Sequence, residues 1–395
     1  MKRRFFWILP IVAALFIWAC SSDSDDAENP TDDVGMTDDD GGTSDDDGGT
    51  DDDGSSVTFD RGVMLINWAD NIILPSYDAF LTVHASFKAE FSTFQTTPSE
   101  ENLTTLRQAW VDAYKSWQHI SMFEIGPAEE NGLRLNINTY PTDVDLITTN
   151  VQSGTYNFEL PSNRDSKGFP ALDYLLNGSA ASDAEIVAVF TDMSSGIAYL
   201  TYVSDVIDDI ETRVTAVRDA WQNGYRDTFV ANDGSSATAA VDRYVNDYIF
   251  YYEKFLRAGK MGIPLGVFTG VQVPTTIESY YYPQLSNDLF QEGLNAVEDF
   301  FRGIAFGTTD TGESLASYLT SLDQEALRDD ILNQYESARS AVSTLQPFRT
   351  EIETNDPAVD MLAAYDEVQR AVAMLKVDMV SAMSIAIDFV DADGD

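Results

Sequence analysis

Carboxylates set beside glycine–proline turns are the groups in this sequence best placed to do chemistry. Glu124 lies in Glu124-Ile125-Gly126-Pro127, downstream of Trp110 and Trp117. An acid in the last turn of a helix meets an unfavourable dipole, which a bound cation or a partner would offset. The plainer reading is an exposed Glu. Asp173 lies in Gly168-Phe169-Pro170-Ala171-Leu172-Asp173-Tyr174-Leu175-Leu176. Pro170 suits a first helical position and Asp173 the favourable first turn, so composition alone reads this segment as a helix start. Arg257-Ala258-Gly259-Lys260-Met261-Gly262-Ile263-Pro264-Leu265-Gly266 precedes Glu278, Tyr280 and Tyr281. Its glycines and prolines imply a loop held in one conformation. Arg257 and Lys260 read either as site cations or as charges pairing with a helix C-terminus.

Other chemistries are excluded by what the sequence lacks. There is no HExxH, GxSxG or P-loop pattern, and there are two His and one Cys in 395 residues. A multi-His zinc site and an intrachain disulfide are therefore out of reach. His84 sits on an apolar stripe and reads as a core histidine. His119 is one position off the Trp110/Trp117 stripe and reads as a boundary residue. The formal net charge of −43 excludes nucleic-acid binding, which needs a basic face.

Helices must position these groups. Ile73, Tyr77, Phe80, His84, Phe87, Phe91 and Phe94 recur at steps of three and four. Thr97-Pro98-Ser99-Glu100 predicts a capping box with Pro at the first helical position, followed by Leu103, Leu106, Trp110, Ala113, Trp117 and Ile120. Ser182 and Glu185 predict a second capping box. It opens a long stripe through Ile186, Val189, Met193, Ile197, Leu200, Ile207, Ile210, Val214, Val217 and Trp221. Asn232 to Ala237 reads as a break. Beyond it run Val241–Val245–Tyr248–Tyr252–Phe255, Phe290–Leu294–Val297–Phe301, and Leu327–Ile331–Ala338–Val342–Leu345. A last stripe, Val368–Val372–Leu375–Met379–Ala382–Ala386, belongs to a helix opening at Asp356-Pro357. Long helices with short connections predict an all-α fold of two antiparallel bundles, about 57–230 and 235–395.

The N-terminus reads as an address. Lys2, Arg3 and Arg4 precede an apolar run from Phe5 to Trp18, too short for a membrane span and right for a secretory signal. Ala19-Cys20 then resembles a bacterial lipoprotein processing site. That resemblance implies a signal peptide over 1–19, acylation of Cys20 and anchoring in the outer membrane, at the periplasmic face or the cell surface. Residues 20–56 read as an acidic tether with the repeat DDDGGT and 15 of the chain's 66 acidic residues. Such a segment cannot bury enough apolar surface to offset its ordering entropy. It lacks the spaced ligands and closing Glu of an EF-hand.

Taken in order, the W…W…E-x-G-P run, GFPALDYLL, GKMGIPLG with Glu278-Ser279-Tyr280, and the C-terminal Lys376-Val377-Asp378 and Phe389 to Asp395 resemble the imelysin family. The resemblance implies two helical bundles, a site near their interface and a link to bacterial iron uptake. It also brings the family signature G-x-H-x-x-E onto Gly168, Pro170 and Asp173. Pro170 replaces the His and removes the nitrogen ligand, which disfavours zinc. An oxygen-only site on Asp173 with Glu124 or Glu278 would favour a hard cation such as ferric iron or calcium. The expectation is a non-catalytic, lipid-anchored protein that binds a metal or metal carrier, with Glu124, Gly168, Pro170, Asp173, Lys260 and Glu278 as ligand-binding residues. A metallopeptidase with an altered site and a surface interaction module are the alternatives.

Overall fold

The computed structural model describes residues 59–388. The expected signal peptide, Cys20, the acidic tether and the terminal Phe389 to Asp395 lie outside the described residues. Helix α1 (Leu74–Thr96) buries Tyr77, Phe80, His84, Phe87, Phe91 and Phe94, as the spacing requires. Each large apolar side chain removed from water contributes about 1.5–3 kcal/mol. Helix α2 (Glu100–Gln118) packs along α1 and buries Leu103, Leu106, Trp110, Ala113 and Trp117. Its cap is Ser99, whose Oγ accepts from the Asn102 N–H at 3.2 Å. Pro98 therefore stands outside the helix, and Thr97 closes α1 instead of opening α2.

Helix α3 (Gly168–Asp173) starts two residues before Pro170 and runs on as a π-type segment, Tyr174–Gly178, so Asp173 lies beyond its first turn, at the junction of the two. The long stripe after Ser182 does not follow one rod. It divides into α4 (Asp183–Thr191) and α5 (Gly196–Ala220), with a bend of 99°. Asp192 makes the break: its Oδ1 accepts from the Ser194 and Ser195 N–H groups, both at 2.9 Å. Met193 and Ile197 consequently face solvent.

After the expected break come α6 (Ala240–Phe250) and a widened, π-type continuation, Tyr251–Gly262. The longer helices that follow are α7 (Ser286–Arg302), α8 (Glu325–Ser343) and α9 (Val359–Ala373). The last opens at Val359, two residues beyond Pro357. Helix α1 packs on α2 and α5, while α8 packs on α7 and α9. Helix α7 also packs on α2 and so joins the two groups. Near this junction Phe123, Trp68, Tyr244 and Phe300 form an aromatic cluster, with Tyr244 and Phe300 centroids 4.6 Å apart. Among the described residues no strand forms beyond a single bridge between Ile304 and Thr311, and no single helix is long and apolar enough to cross a membrane.

His84 is a core residue, 1% exposed, tilted against Phe80 and edge-on to Phe87. Its Nε2 meets no hydrogen-bond partner, and burial pushes its pKa down to about 4. The fold therefore holds the neutral ring. Its stabilising contribution is complete above the unfolded value near 6.5 and is withdrawn as the pH falls toward 4, a loss of about 3 kcal/mol. Urea unfolding at pH 7 and pH 4 should show wild type losing that much more stability than His84→Leu. Equal losses in the two proteins would contradict this account.

Candidate functional site

Four chain segments, distant in sequence, meet at a buried ion pair. Lys260 in the Tyr251–Gly262 segment pairs with Glu278, and both are about 97% buried or more. Gln118, the last residue of α2, donates to Glu278 Oε1 at 3.2 Å and accepts from Lys260 Nζ at 2.9 Å. Asn138 donates to the same Glu278 oxygen at 2.7 Å and accepts from the Tyr114 hydroxyl at 2.6 Å. Burial pulls the Lys260 pKa down, and Glu278 opposes that shift. A buried pair holds charge only when extra hydrogen bonds satisfy the remaining donors and lone pairs, and Gln118 and Asn138 supply them.

Asp173 meets the chain three residues beyond Glu278, at Tyr281. Its Oδ2 accepts from the Tyr281 N–H at 2.7 Å, and its Oδ1 from the Asn177 amide at 3.2 Å. Burial pushes the Asp173 pKa up to about 7, against the hydrogen bonds from Tyr281 and Asn177. Lys167 precedes the helix and anchors it, its Nζ donating to Asp209 at 3.0 Å and to the Phe158 carbonyl at 2.7 Å. Gly168 has φ +73°, and a Cβ there would lie 2.1 Å from the Ile137 carbonyl oxygen. Ser279, between Glu278 and Tyr281, has φ +59° and donates to the Tyr282 carbonyl. A recess of about 210 Å³ opens here, lined by Tyr140, Thr142, Pro170, Asp173, Ser279 and Tyr281 among others.

Glu124 belongs to another recess, of about 250 Å³. Helix α2 ends six residues earlier, so Glu124 stands in a loop and the helix-dipole argument does not apply to it. Its Oε2 accepts from the Arg134 N–H at 2.9 Å, and its own N–H donates to Asp247 at 2.9 Å. Burial raises its pKa to about 7, opposed by Arg134. The Arg134 guanidinium bonds Asp247 at 3.2 Å and the Ser121 carbonyl at 2.6 Å, and it lies 4.4 Å from the Phe255 ring centroid.

The structure thus brings together Lys260 with Glu278, and Pro170 with Asp173. It sets Glu124 apart and gives Gly168 a main-chain role. Arg257, like Lys260, is buried, bonding the Tyr365 hydroxyl at 3.1 Å. Among the described residues no three His, Cys, Asp or Glu side chains are grouped to hold a metal ion. Pro170 offers no donor, and both Asp173 oxygens already accept hydrogen bonds, so these residues do not fit a directly bound metal. Gln118, Asn138 and Arg134 complete the arrangement, and the sequence reading missed them. The polar run Asn136 to Thr139 before Tyr140-Pro141 was the available signal.

The sequence model described as Imelysin matches residues 73–375. The chain belongs to the imelysin family. Iron-regulated protein A of Synechococcus elongatus is 29% identical over 110 residues, which is 28% of this chain and 30% of that protein. The match therefore spans less than a third of that relative's length. Two solved structures share the fold. One is described as an iron-regulated protein A precursor from Parabacteroides distasonis, with TM-score 0.65, 15% identity, and 81% of this chain and 95% of that one covered. The other is an imelysin-like protein from Psychrobacter arcticum, with TM-score 0.64, 16% identity, and coverages of 83% and 97%. In this imelysin-family chain the signature positions Gly168, Pro170 and Asp173 form one buried helix beside the recess.

Proposed function

We propose that this protein is a non-catalytic, lipid-anchored imelysin-family protein that serves iron acquisition by binding a small oxygen-rich iron carrier in the Pro170–Asp173 recess. The carrying observation is that a buried carboxyl, Asp173, faces a cavity lined by hydroxyl-bearing residues, with no set of metal ligands beside it among the described residues. Protonated Asp173 and the hydroxyls of Tyr140 and Thr142 are donors suited to carboxylate or hydroxyl oxygens of a carrier. The names of the relatives support the iron link. The anchoring part rests on the Cys20 reading, and loss of fatty-acid incorporation in Cys20→Ser tests it.

Calorimetry of the full chain with ferric citrate, citrate and calcium chloride tests the binding. Ferric citrate should bind, and Asp173→Ala should weaken it at least tenfold. Affinity should fall as the pH rises through about 7, because ionised Asp173 then repels the oxyanion. No heat with ferric citrate or citrate, together with an unchanged melting temperature, would overturn the reading. Heat from calcium alone would point back to a metal site.

A further inference from the structure

We propose that the turn following Gly262 is a membrane-docking loop that rests on a neutral lipid bilayer. Ile263, Val267, Phe268 and Val271 are 46%, 41%, 43% and 65% exposed within nine residues. The Gln272 amide meets the Asn355 carbonyl and the Ala358 N–H, which sets exposed Val359 beside them. Apolar side chains gathered at one exposed turn mark an interaction surface. The loop backbone is closed on itself. The N–H groups of Gly266, Val267, Thr269, Gly270 and Val273 donate to carbonyls of Ile263, Gly262, Gly266, Gly266 and Pro264, all at 2.7–3.2 Å. The Thr269 hydroxyl covers the Val271 carbonyl at 3.1 Å. Hydrocarbon demands this internal satisfaction of the backbone.

Charge points the same way. Lys254 to Ile277 is a run of 24 residues without Asp or Glu, the longest in residues 57–395. In a chain of formal charge −43 this stretch brings no carboxylate of its own to a bilayer, and the exposed acids nearest the patch in sequence are Asp356 and Asp360, which flank Val359. Insertion then draws on apolar area and not on attraction to anionic headgroups. The proposal rests on the anchored reading of Cys20.

The test uses full-length Val271→Cys, treated with a thiol-reactive, environment-sensitive fluorophore in phosphatidylethanolamine–phosphatidylcholine vesicles. Cys20 is the sole native Cys, so one label per chain is expected if it is acylated. Two labels per chain would overturn the anchoring and leave the loop to be judged by its emission. The expected result is a blue-shifted emission quenched by lipid-borne nitroxide, with at least a tenfold loss of the nitroxide-quenched fraction in a Val267→Asp, Phe268→Asp background. Emission at the aqueous position, open to iodide, would overturn docking. A shift seen only with native membranes and not with pure lipid would also overturn it, in favour of a protein partner.

Discussion

Lys260→Met should destabilise the protein by about 3–5 kcal/mol in urea unfolding, the largest loss expected from a single side chain at the site. The reason is the group left behind. Glu278 stays buried without its cation, with the Gln118 and Asn138 amides as its remaining side-chain donors. Glu278→Gln alone should cost less, since it keeps the shape and strands only a lysine that can lose its proton. The double variant Lys260→Met with Glu278→Gln should recover most of the Lys260→Met loss, because no buried charge remains unpaired. Losses that simply add, or a Lys260→Met cost below about 1 kcal/mol, would mean that water reaches the pair.

Gly168→Ala should cost about 3 kcal/mol or more in the same measurement. A left-handed backbone angle carries about 1–2 kcal/mol for an alanine. The added Cβ would further lie 2.1 Å from the Ile137 carbonyl oxygen and 2.6 Å from its carbon, and main chain cannot swing aside as a side chain does. Gly154 is the control. It has φ +62° with open space around the would-be Cβ, so Gly154→Ala should show the conformational part alone, about 1 kcal/mol. Similar costs at both sites would remove the close approach as the reason for Gly168.

Helices were legible wherever apolar spacing and burial coincide. The stripes from Tyr77 to Phe94 and from Leu103 to Trp117 lie on buried faces, as do Val241–Tyr252 and Phe290–Phe301. Spacing misled where one polar side chain overruled it. Met193 and Ile197 keep helical register across Asp192, yet that carboxylate captures two backbone N–H groups and turns the chain. The site was legible in its parts and not in its assembly. Gly168, Asp173, Lys260 and Glu278 stood out from composition. Nothing in their spacing could report that Glu124 would turn to Arg134, or that Gln118 and Asn138 would close around Glu278. Those contacts span 10 to 160 residues and are set by helix packing. The placement of Glu124 in a helix failed because α2 stops at Gln118, before the turn that carries Phe123.

The stretch from Glu278 to Tyr281 ties one side of the cavity to the ion pair. Its first residue is gripped by Lys260, its second holds an uncommon backbone angle, and its last donates its amide to Asp173. Moving that wall would require breaking a charge pair that has no water at hand to replace it. The cavity should therefore hold one shape, so the carrier proposed for it would meet a seat already made. Capture then spends little free energy on rearrangement, and selectivity follows from outline as much as from attraction.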